Sequence, residues 1–507
     1  MTNRSKQSYD GQYGNVMKTV STKKAKKIKR TKRELLSAGI AGRVVQRQIA
    51  LIVVTAMIFA LGGASFTFAA GTVKVKSINH KGYNTVAPEN TLPAYELSKV
   101  YGFDYVETDI SFTKDGIPVL LHKATIGHMA RHEDGSTLTE EENKKIGDLT
   151  YDETLQYDFT QGKAAYKGTK LAKMADFLDL CSSKGLHPYL ELKQNGDYSR
   201  GQIEQLTELV RNHGMGGKVT WISYSKKFLL WLKEKDPKAR LGLVCIAADE
   251  ATMKGLIKDA KELRTGSNYV FLDLCVSVHI KPFAALCKNA GMPLEIWNMF
   301  FDEKQVLEDL DPYITGVTSD KYQYAAPDKI TLSATSYIYD GNEKKPGVTA
   351  TWGGNTLAEG KTCKVTYDED CSSAGSHTVK VSLIDKTYAG ASTASYTIQK
   401  AANPLSVNGR TVKLKYKKLK RKSHKLTAAR VIKFRKKGQG TITYKLTGVK
   451  KAKYKKYFKV SAKNGKVSVK KGLRKGVYRL TISVKAAENK NYKASGARRS
   501  ITKIVVR

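Results

Sequence analysis

Between about residues 75 and 322, short apolar runs alternate with stretches whose apolar positions recur every three or four residues. The runs have strand length and are rich in β-branched and aromatic residues. The stretches between them carry a helical period, so the pattern predicts repeated β/α units around a parallel sheet. The predicted strands are 76–80, 105–110, 118–122, 187–193, 219–224, 240–245, 269–274 and 294–299, with 314–320 as a closing segment. Residues 91–102 and 201–214 read as two of the amphipathic helices. Eight strands and a closing segment in about 250 residues predict a (β/α)8 TIM-type barrel, of class α/β. A doubly wound open sheet shares the same periodicity and is the alternative.

Beyond Pro327 the period shortens to two, and Thr, Ser, Tyr, Val, Gly and Lys dominate. Residues 329–400 and, after the break at Asn403 and Pro404, 404–507 each read as an all-β sandwich of immunoglobulin-like style. At the other end, residues 49–71 contain no charge and follow Arg43 and Arg47. They read as a signal peptide or a transmembrane anchor, with residues 1–48 a basic, disordered cytoplasmic segment before it. Everything after residue 71 is then expected on the extracellular face, either membrane-anchored or secreted and wall-associated.

Charge sharpens this division. The 507 residues carry a formal net charge of +42, which by itself suggests a nucleic-acid binder. Residues 1–48 hold 13 Lys/Arg against two acids, and 401–507 hold 35 against the single Glu488. The centre, 49–400, holds 40 Lys/Arg and 43 Asp/Glu and is close to neutral. A charge-balanced centre with basic ends suggests an enzyme held in place by its ends. In the last segment Lys alternates with Val, Leu and Tyr, which turns the cations to the exposed strand faces. The expected partner there is an anionic cell-wall polymer of teichoic-acid type or an anionic lipid. No stacking module or groove-reading motif accompanies the charge, so nucleic acid is disfavoured. Six cysteines are too few for a disulfide scaffold. Cys181, Cys245, Cys275 and Cys287 read as buried thiols, while Cys363 and Cys371, eight apart, leave a local bridge open.

Chemistry-bearing residues gather at the C-terminal ends of predicted strands, where barrels build their sites. The first strand ends in His80-Lys81-Gly82, and A-P-E-N-T follows at 87–91. Glu107 and Asp109, two apart on a strand, point to one side. T-K-D-G-I-P-V-L-L-H ends at His122, Glu191 and Lys193 are again two apart, and Trp297 comes late. Glu107, Asp109 and Glu191 make an all-oxygen set suited to a hard divalent cation, Ca²⁺ or Mg²⁺. His80 and His122 are candidates for general acid and base. Lys81 and Lys193 would offset anionic charge, and the Trp297 ring at the mouth offers a packing face.

The order H-[RK]-G, P-E-N-T, E-x-D, T-K-D-G-x-P-V-x-x-H, E-x-K and a late Trp resembles the glycerophosphodiester phosphodiesterase family over the whole of 75–322. The resemblance implies a metal held by Glu107, Asp109 and Glu191, with His80 and His122 as acid/base residues. It also implies attack of the neighbouring glycerol hydroxyl on phosphorus, giving a cyclic phosphate that water opens to sn-glycerol 3-phosphate. The substrate is then a glycerophosphodiester or a teichoic-acid-like polymer. Two positions depart from the family pattern: Lys81 replaces the usual Arg, and Lys123 replaces the usual Asp after the second histidine. Lys123 is expected to lower the pKa of His122. The alternatives are a catalytically impaired scaffold whose basic domain binds wall polymer, and a phospholipase D-like enzyme that stops at the cyclic phosphate.

Overall fold

The computed structural model describes residues 75–193, 198–277, 280–298 and 301–507. The basic segment 1–48 and the hydrophobic segment 49–71 lie outside the described residues. Among those described, no helix is long and apolar enough to cross a membrane.

Eight parallel strands form the barrel: β1 (Lys76–Asn79), β2 (Tyr105–Phe112), β3 (His187–Leu192), β4 (Thr220–Ser223), β5 (Arg240–Cys245), β6 (Val270–Cys275), β7 (Leu294–Trp297) and β8 (Ile314–Ser319). They pair in the order β1-β8-β7-β6-β5-β4-β3-β2, and β1 closes on β2 through Ile78 opposite Tyr105. Among the described residues, the helices of six or more residues between them are α1 (Leu92–Val100), α2 (Met174–Lys184), α3 (Arg200–Asn212), α4 (Lys226–Lys235), α5 (Glu250–Glu262), α6 (Ile280–Ala290) and α7 (Glu303–Glu308). The barrel is therefore closed, and the open-sheet alternative falls.

One strand assignment is corrected. The run at 118–122 is no barrel stave: Pro118–Leu120 folds back antiparallel on the end of β2, with Ile110 opposite Leu120. The eighth stave is instead β8, which the sequence pattern offered only as a closing segment. An apolar run of this length satisfies a hairpin arm as well as a parallel stave. The turn at Thr113–Gly116, with Gly116 at φ +77°, decides for the hairpin.

Alternation sorts each stave into two faces. On β2, Val106 and Ile110 face the helices, where they join Leu190, Leu241 and Leu272 against Phe177, Leu206, Leu229 and Phe283. Glu107 and Asp109 face the axis. Inside the barrel, Ile78, Tyr189, Ile222, Val244 and Phe271 form an apolar layer. Glycines make room for it: a Cβ on Gly242 would stand 2.4 Å from Phe271 Cζ, and one on Gly316 2.6 Å from Glu295 Oε2. Below this layer, Lys76 pairs with Glu295 and donates to Tyr189 Oη at 2.9 Å, while Tyr189 donates to Glu295 Oε2 at 2.9 Å. The floor is thus plugged by a satisfied ion pair, and only the C-terminal mouth is left for chemistry.

Residues 113–173 leave the barrel and build a small core of their own from Ile126, Met129, Leu149, Phe159 and neighbours, beside the mouth. The C-terminal region is all-β. Two sheets, Lys329–Leu332/Val348–Trp352/Asn355–Thr356 and Ser336–Ile338/Ala391–Gln399/Gly375–Leu383/Cys363–Tyr367, make up its first part. Cys363 and Cys371 are both buried free thiols, so the local bridge does not form; Cys371 Sγ donates to the Asp368 carbonyl instead. The last part centres on a four-stranded sheet, Thr411–Leu414/Arg498–Val506/Gly476–Ala486/Ile442–Val449. Along Gly476–Ala486, Tyr478, Leu480, Ile482 and Val484 are buried while Arg479 and Lys485 face solvent. Among the described residues, the one ion pair made by a cation of 404–507 is Lys490 with Asp370 at 2.9 Å.

Candidate active site

The mouth of the barrel gathers the chemistry-bearing residues. The ligand atoms of Glu107, Asp109 and Glu191 all lie within 4.8 Å of one another, and all three residues are buried. They meet because β2 and β3 are neighbours in register, with Asp109 opposite Glu191. Glu107 Oε1 and Glu191 Oε1 have no hydrogen-bond partner among the described residues. Buried carboxylate oxygens without partners, turned toward one point and all hard donors, fit a divalent cation.

Lys193 supplies part of the compensation, its Nζ 2.5 Å from Asp109 Oδ1 and 2.7 Å from Glu191 Oε2. Burial and the neighbouring Asp109 push Glu107 up to about 8, with His80 pulling the other way. Burial would raise Asp109 too, but Lys193, His122 and Lys81 outweigh it and hold this carboxyl below its usual range. For Lys193 burial is in turn outweighed by Asp109, Glu191 and Glu107, which raise it.

The first loop explains H-K-G and P-E-N-T. Lys81 adopts φ 55°, which turns its backbone N–H onto Glu107 Oε2 at 3.1 Å. Its side chain is buried, 3.7 Å from Glu89. Gly82, at φ +75°, passes so close to α1 that a Cβ would lie 2.7 Å from Ala94 Cβ. Asn90 donates to Asp109 Oδ2 at 2.8 Å, and its own Oδ1 accepts from Thr108, Tyr95 and the Asp109 amide. Its part is to orient the carboxylate of Asp109. Glu89 faces His128 at 3.4 Å. Burial would raise Glu89, but His128 and Lys81 hold it down.

The two histidines have different surroundings. His80 Nδ1 lies 2.7 Å from Asp320 Oδ1, and Nε2 is 3.9 Å from Glu107. Burial pulls His80 down, yet the hydrogen bond to Asp320 and the charge of Glu107 leave it raised. His122 is carried over the mouth by the hairpin, through the bond from the Leu121 amide to the Asp109 carbonyl. Burial takes it down to about 4; Asp109 opposes this, while Lys193 and Lys81 add to it. The expected role of Lys123 is corrected here: it is exposed, lines the adjoining groove, and the cations acting on His122 are Lys193 and Lys81.

A cavity of about 330 Å³ is lined by His80, Lys81, Glu107, His122, Glu191, Lys193 and Trp297, so it joins seven of the eight expected site residues; Asp109 is not part of its lining. A larger cavity, about 770 Å³, shares His122, Glu191 and Lys193 and runs out past Lys123, Lys145 and Ile246. The sequence reading missed Asp320, His128 and Asp273. Asp320 had a signal, since it directly follows the last stave, but no motif drew attention to it.

Such a carboxylate cluster, with two histidines and two lysines at the same cavity to meet an anion, suits hydrolysis at a phosphodiester. Residues 80–321 match the family described as "Glycerophosphoryl diester phosphodiesterase family", and residues 328–402 match "MBG domain". The protein thus carries a glycerophosphoryl diester phosphodiesterase family domain and is a phosphoric diester hydrolase. Among its relatives, an uncharacterized protein of Mycoplasma genitalium is 25% identical over 243 residues, covering 46% of this chain and 91% of that one. A glycerophosphodiester phosphodiesterase of Caldanaerobacter subterraneus subsp. tengcongensis is 24% identical over 173 residues, covering 34% and 67%. Among solved structures, an Oleispira antarctica phosphodiesterase in complex with the product sn-glycerol-3-phosphate aligns at TM-score 0.40 with 20% identity, covering 48% of this chain and 92% of that one.

Proposed function

We propose that the barrel hydrolyses glycerophosphodiesters to sn-glycerol 3-phosphate and an alcohol, with a divalent cation, at the extracellular face of the cell. The observation that carries this is the carboxylate triangle with unpartnered oxygens, two of whose members share one cavity with both histidines. Glu107, Asp109 and Glu191 would hold Ca²⁺ or Mg²⁺, which when bound neutralises charge on the phosphate and lowers the pKa of a nearby hydroxyl. Lys81 and Lys193 meet the non-bridging oxygens as negative charge grows on them. His122, half-buried and without a carboxylate hydrogen bond, takes the proton of the attacking glycerol hydroxyl. His80, steadied by Asp320, donates a proton to the departing alcohol, and the roles reverse when water opens the cyclic phosphate. Trp297 packs against the glyceryl carbons.

The direct test follows sn-glycerol 3-phosphate release from glycerophosphocholine and glycerophosphoethanolamine by the full-length protein. Release with Ca²⁺ or Mg²⁺ that falls to background in EDTA is expected. A folded protein that releases nothing with any divalent cation would sink the proposal, and accumulation of cyclic phosphate alone would favour the phospholipase D-like alternative.

The basic segment 404–507, with its outward Lys and Arg and a single acid, is proposed to hold the enzyme on anionic wall polymer. Cell-wall sediments should retain the full-length protein at low ionic strength and release it as salt shortens the screening length to about 3 Å near 1 M. Retention that ignores salt would remove the electrostatic basis of this reading.

A further inference from the structure

Among the described residues, the carboxylates that point into the barrel all have partners except one. Glu295 has Lys76 and Tyr189, Asp109 has Asn90 and Lys193, Glu191 has Lys193, and Glu107 has the Lys81 amide. Asp273, on β6, has none: it is 4% exposed and its Oδ1 makes no hydrogen bond. It lines the 330 Å³ cavity together with His80, His122 and Trp297. On the neighbouring strand β7, the indole Nε1 of Trp297 is also buried and also lacks a partner among the described residues. Asp273 stands opposite Glu295 and Cys275 opposite Trp297, so the two side chains approach the cavity from adjacent staves, one step apart.

An unmet acceptor and an unmet donor therefore share one small cavity. A hydroxyl answers both, because its O–H donates to the carboxyl while its oxygen accepts from the indole N–H. An ammonium answers only the carboxyl, and a carboxylate or phosphate would bring a further negative charge beside Glu295, Glu191 and Glu107. Burial, reinforced by Glu295, Glu191 and Glu107, holds the Asp273 carboxyl well above its usual range, which makes a neutral hydroxyl a fitter companion than an ion. The remaining walls near this pair include Ile222 and Val244, suited to carbon chain. Because the cavity also reaches both histidines, the hydroxyl it receives lies only a few bonds from the reacting phosphorus.

Resting on the function proposed above, we infer that Asp273 and the Trp297 indole N–H together read the terminal hydroxyl of the glyceryl half of the substrate. The attacking hydroxyl is the neighbouring one; the terminal one takes no part in bond making and serves recognition. The site thereby selects glyceryl phosphodiesters over those of diols that lack the third oxygen.

Calorimetric binding to the full-length protein with Mg²⁺ present tests this, using sn-glycerol 3-phosphate and (R)-propane-1,2-diol 1-phosphate. A hydroxyl that meets these buried groups should favour the glycerol ligand by about 10- to 100-fold, the worth of leaving them unmet. Asp273→Ala should reduce the preference to within about threefold while leaving the affinity for the diol phosphate nearly unchanged. Asp273→Asn, which still accepts a hydrogen bond, should restore most of it. Trp297→Phe removes the N–H together with part of the packing ring, so it should weaken both ligands while narrowing the preference between them, and the narrowing is its readout. Parallel weakening of both ligands by Asp273→Ala, with the preference unchanged, would mean a merely structural role and overturn the inference. So would a wild-type protein that binds the two alike, or variants that keep the preference. A wild-type protein that binds neither ligand, yet is folded, would instead bring down the proposed function on which the inference stands.

Discussion

His122→Ala should lower kcat for glycerophosphoethanolamine by about 10²- to 10⁴-fold, the usual worth of a positioned general base. The expectation comes from its surroundings. Burial and the cations Lys193 and Lys81 keep this imidazole neutral at physiological pH, ready to accept a proton, and it lines the same cavity as Glu107 and Glu191. His80, hydrogen-bonded to Asp320, is suited to the opposite task. Two groups of one type pushed in opposite directions are the mark of divided acid and base roles. The division has its own readout. With p-nitrophenol as the leaving group, which needs little protonation to depart, His80→Ala should lose far less than with ethanolamine. His122→Ala should lose about the same with either, because attack still needs the base. A His122→Ala protein that keeps more than about a tenth of wild-type kcat, or equal leaving-group sensitivity in both variants, would refute the assignment.

Lys193→Met is the second large effect, and it acts on stability. The Lys193 ammonium is shared by Asp109 and Glu191, both buried. Removing one member of a buried charge group leaves the rest uncompensated and costs about 3–5 kcal/mol. A divalent cation at the triangle would supply the missing charge, so the loss should be large in EDTA and shrink with Ca²⁺ or Mg²⁺. Ligand linkage alone gives about 2.7 kcal/mol at a hundred times Kd. Trp221, Trp231 and Trp297 lie in the barrel and Trp352 alone lies outside it, so urea unfolding followed by tryptophan fluorescence reports mainly on the barrel. Equal stabilisation of wild type and variant by the cation would show that the two charges do not share the triangle. An undiminished EDTA midpoint would show that Lys193 does not hold it together.

The two expectations lean on different kinds of information, and so did the reading of the fold. Local alternation is enough to say that Glu107 and Asp109 share a face, and that Glu191 and Lys193 share another, because the strand period is two whatever the strand pairs with. The same holds for the alternation of Lys with Val, Leu and Tyr in the last segment, which the sheet faces follow. Loop chemistry is legible too: only glycine passes so near Ala94 at position 82. Local pattern cannot say which staves become neighbours. That choice follows from closing the barrel and burying every outward apolar row against a helix, and it sets Asp109 opposite Glu191 and brings Asp320 beside His80.

The hairpin at Pro118–Leu120 shows the limit most plainly, since its apolar run serves an antiparallel arm and a parallel stave equally well. Lys123 shows it again: its neighbour in sequence is His122, but its side chain faces the outer groove, and the charges His122 feels come from Lys81 and Lys193. Asp273 had no motif at all, because being unpartnered is a property of the assembled interior. The sequence by itself determined the residue types, their faces and the order of the β/α units, since these depend on periods of two and 3.6 along the chain. Register, the partners of each buried charge and, among the described residues, the one inward carboxyl of the barrel left without a partner depend on groups brought together from distant parts of the chain.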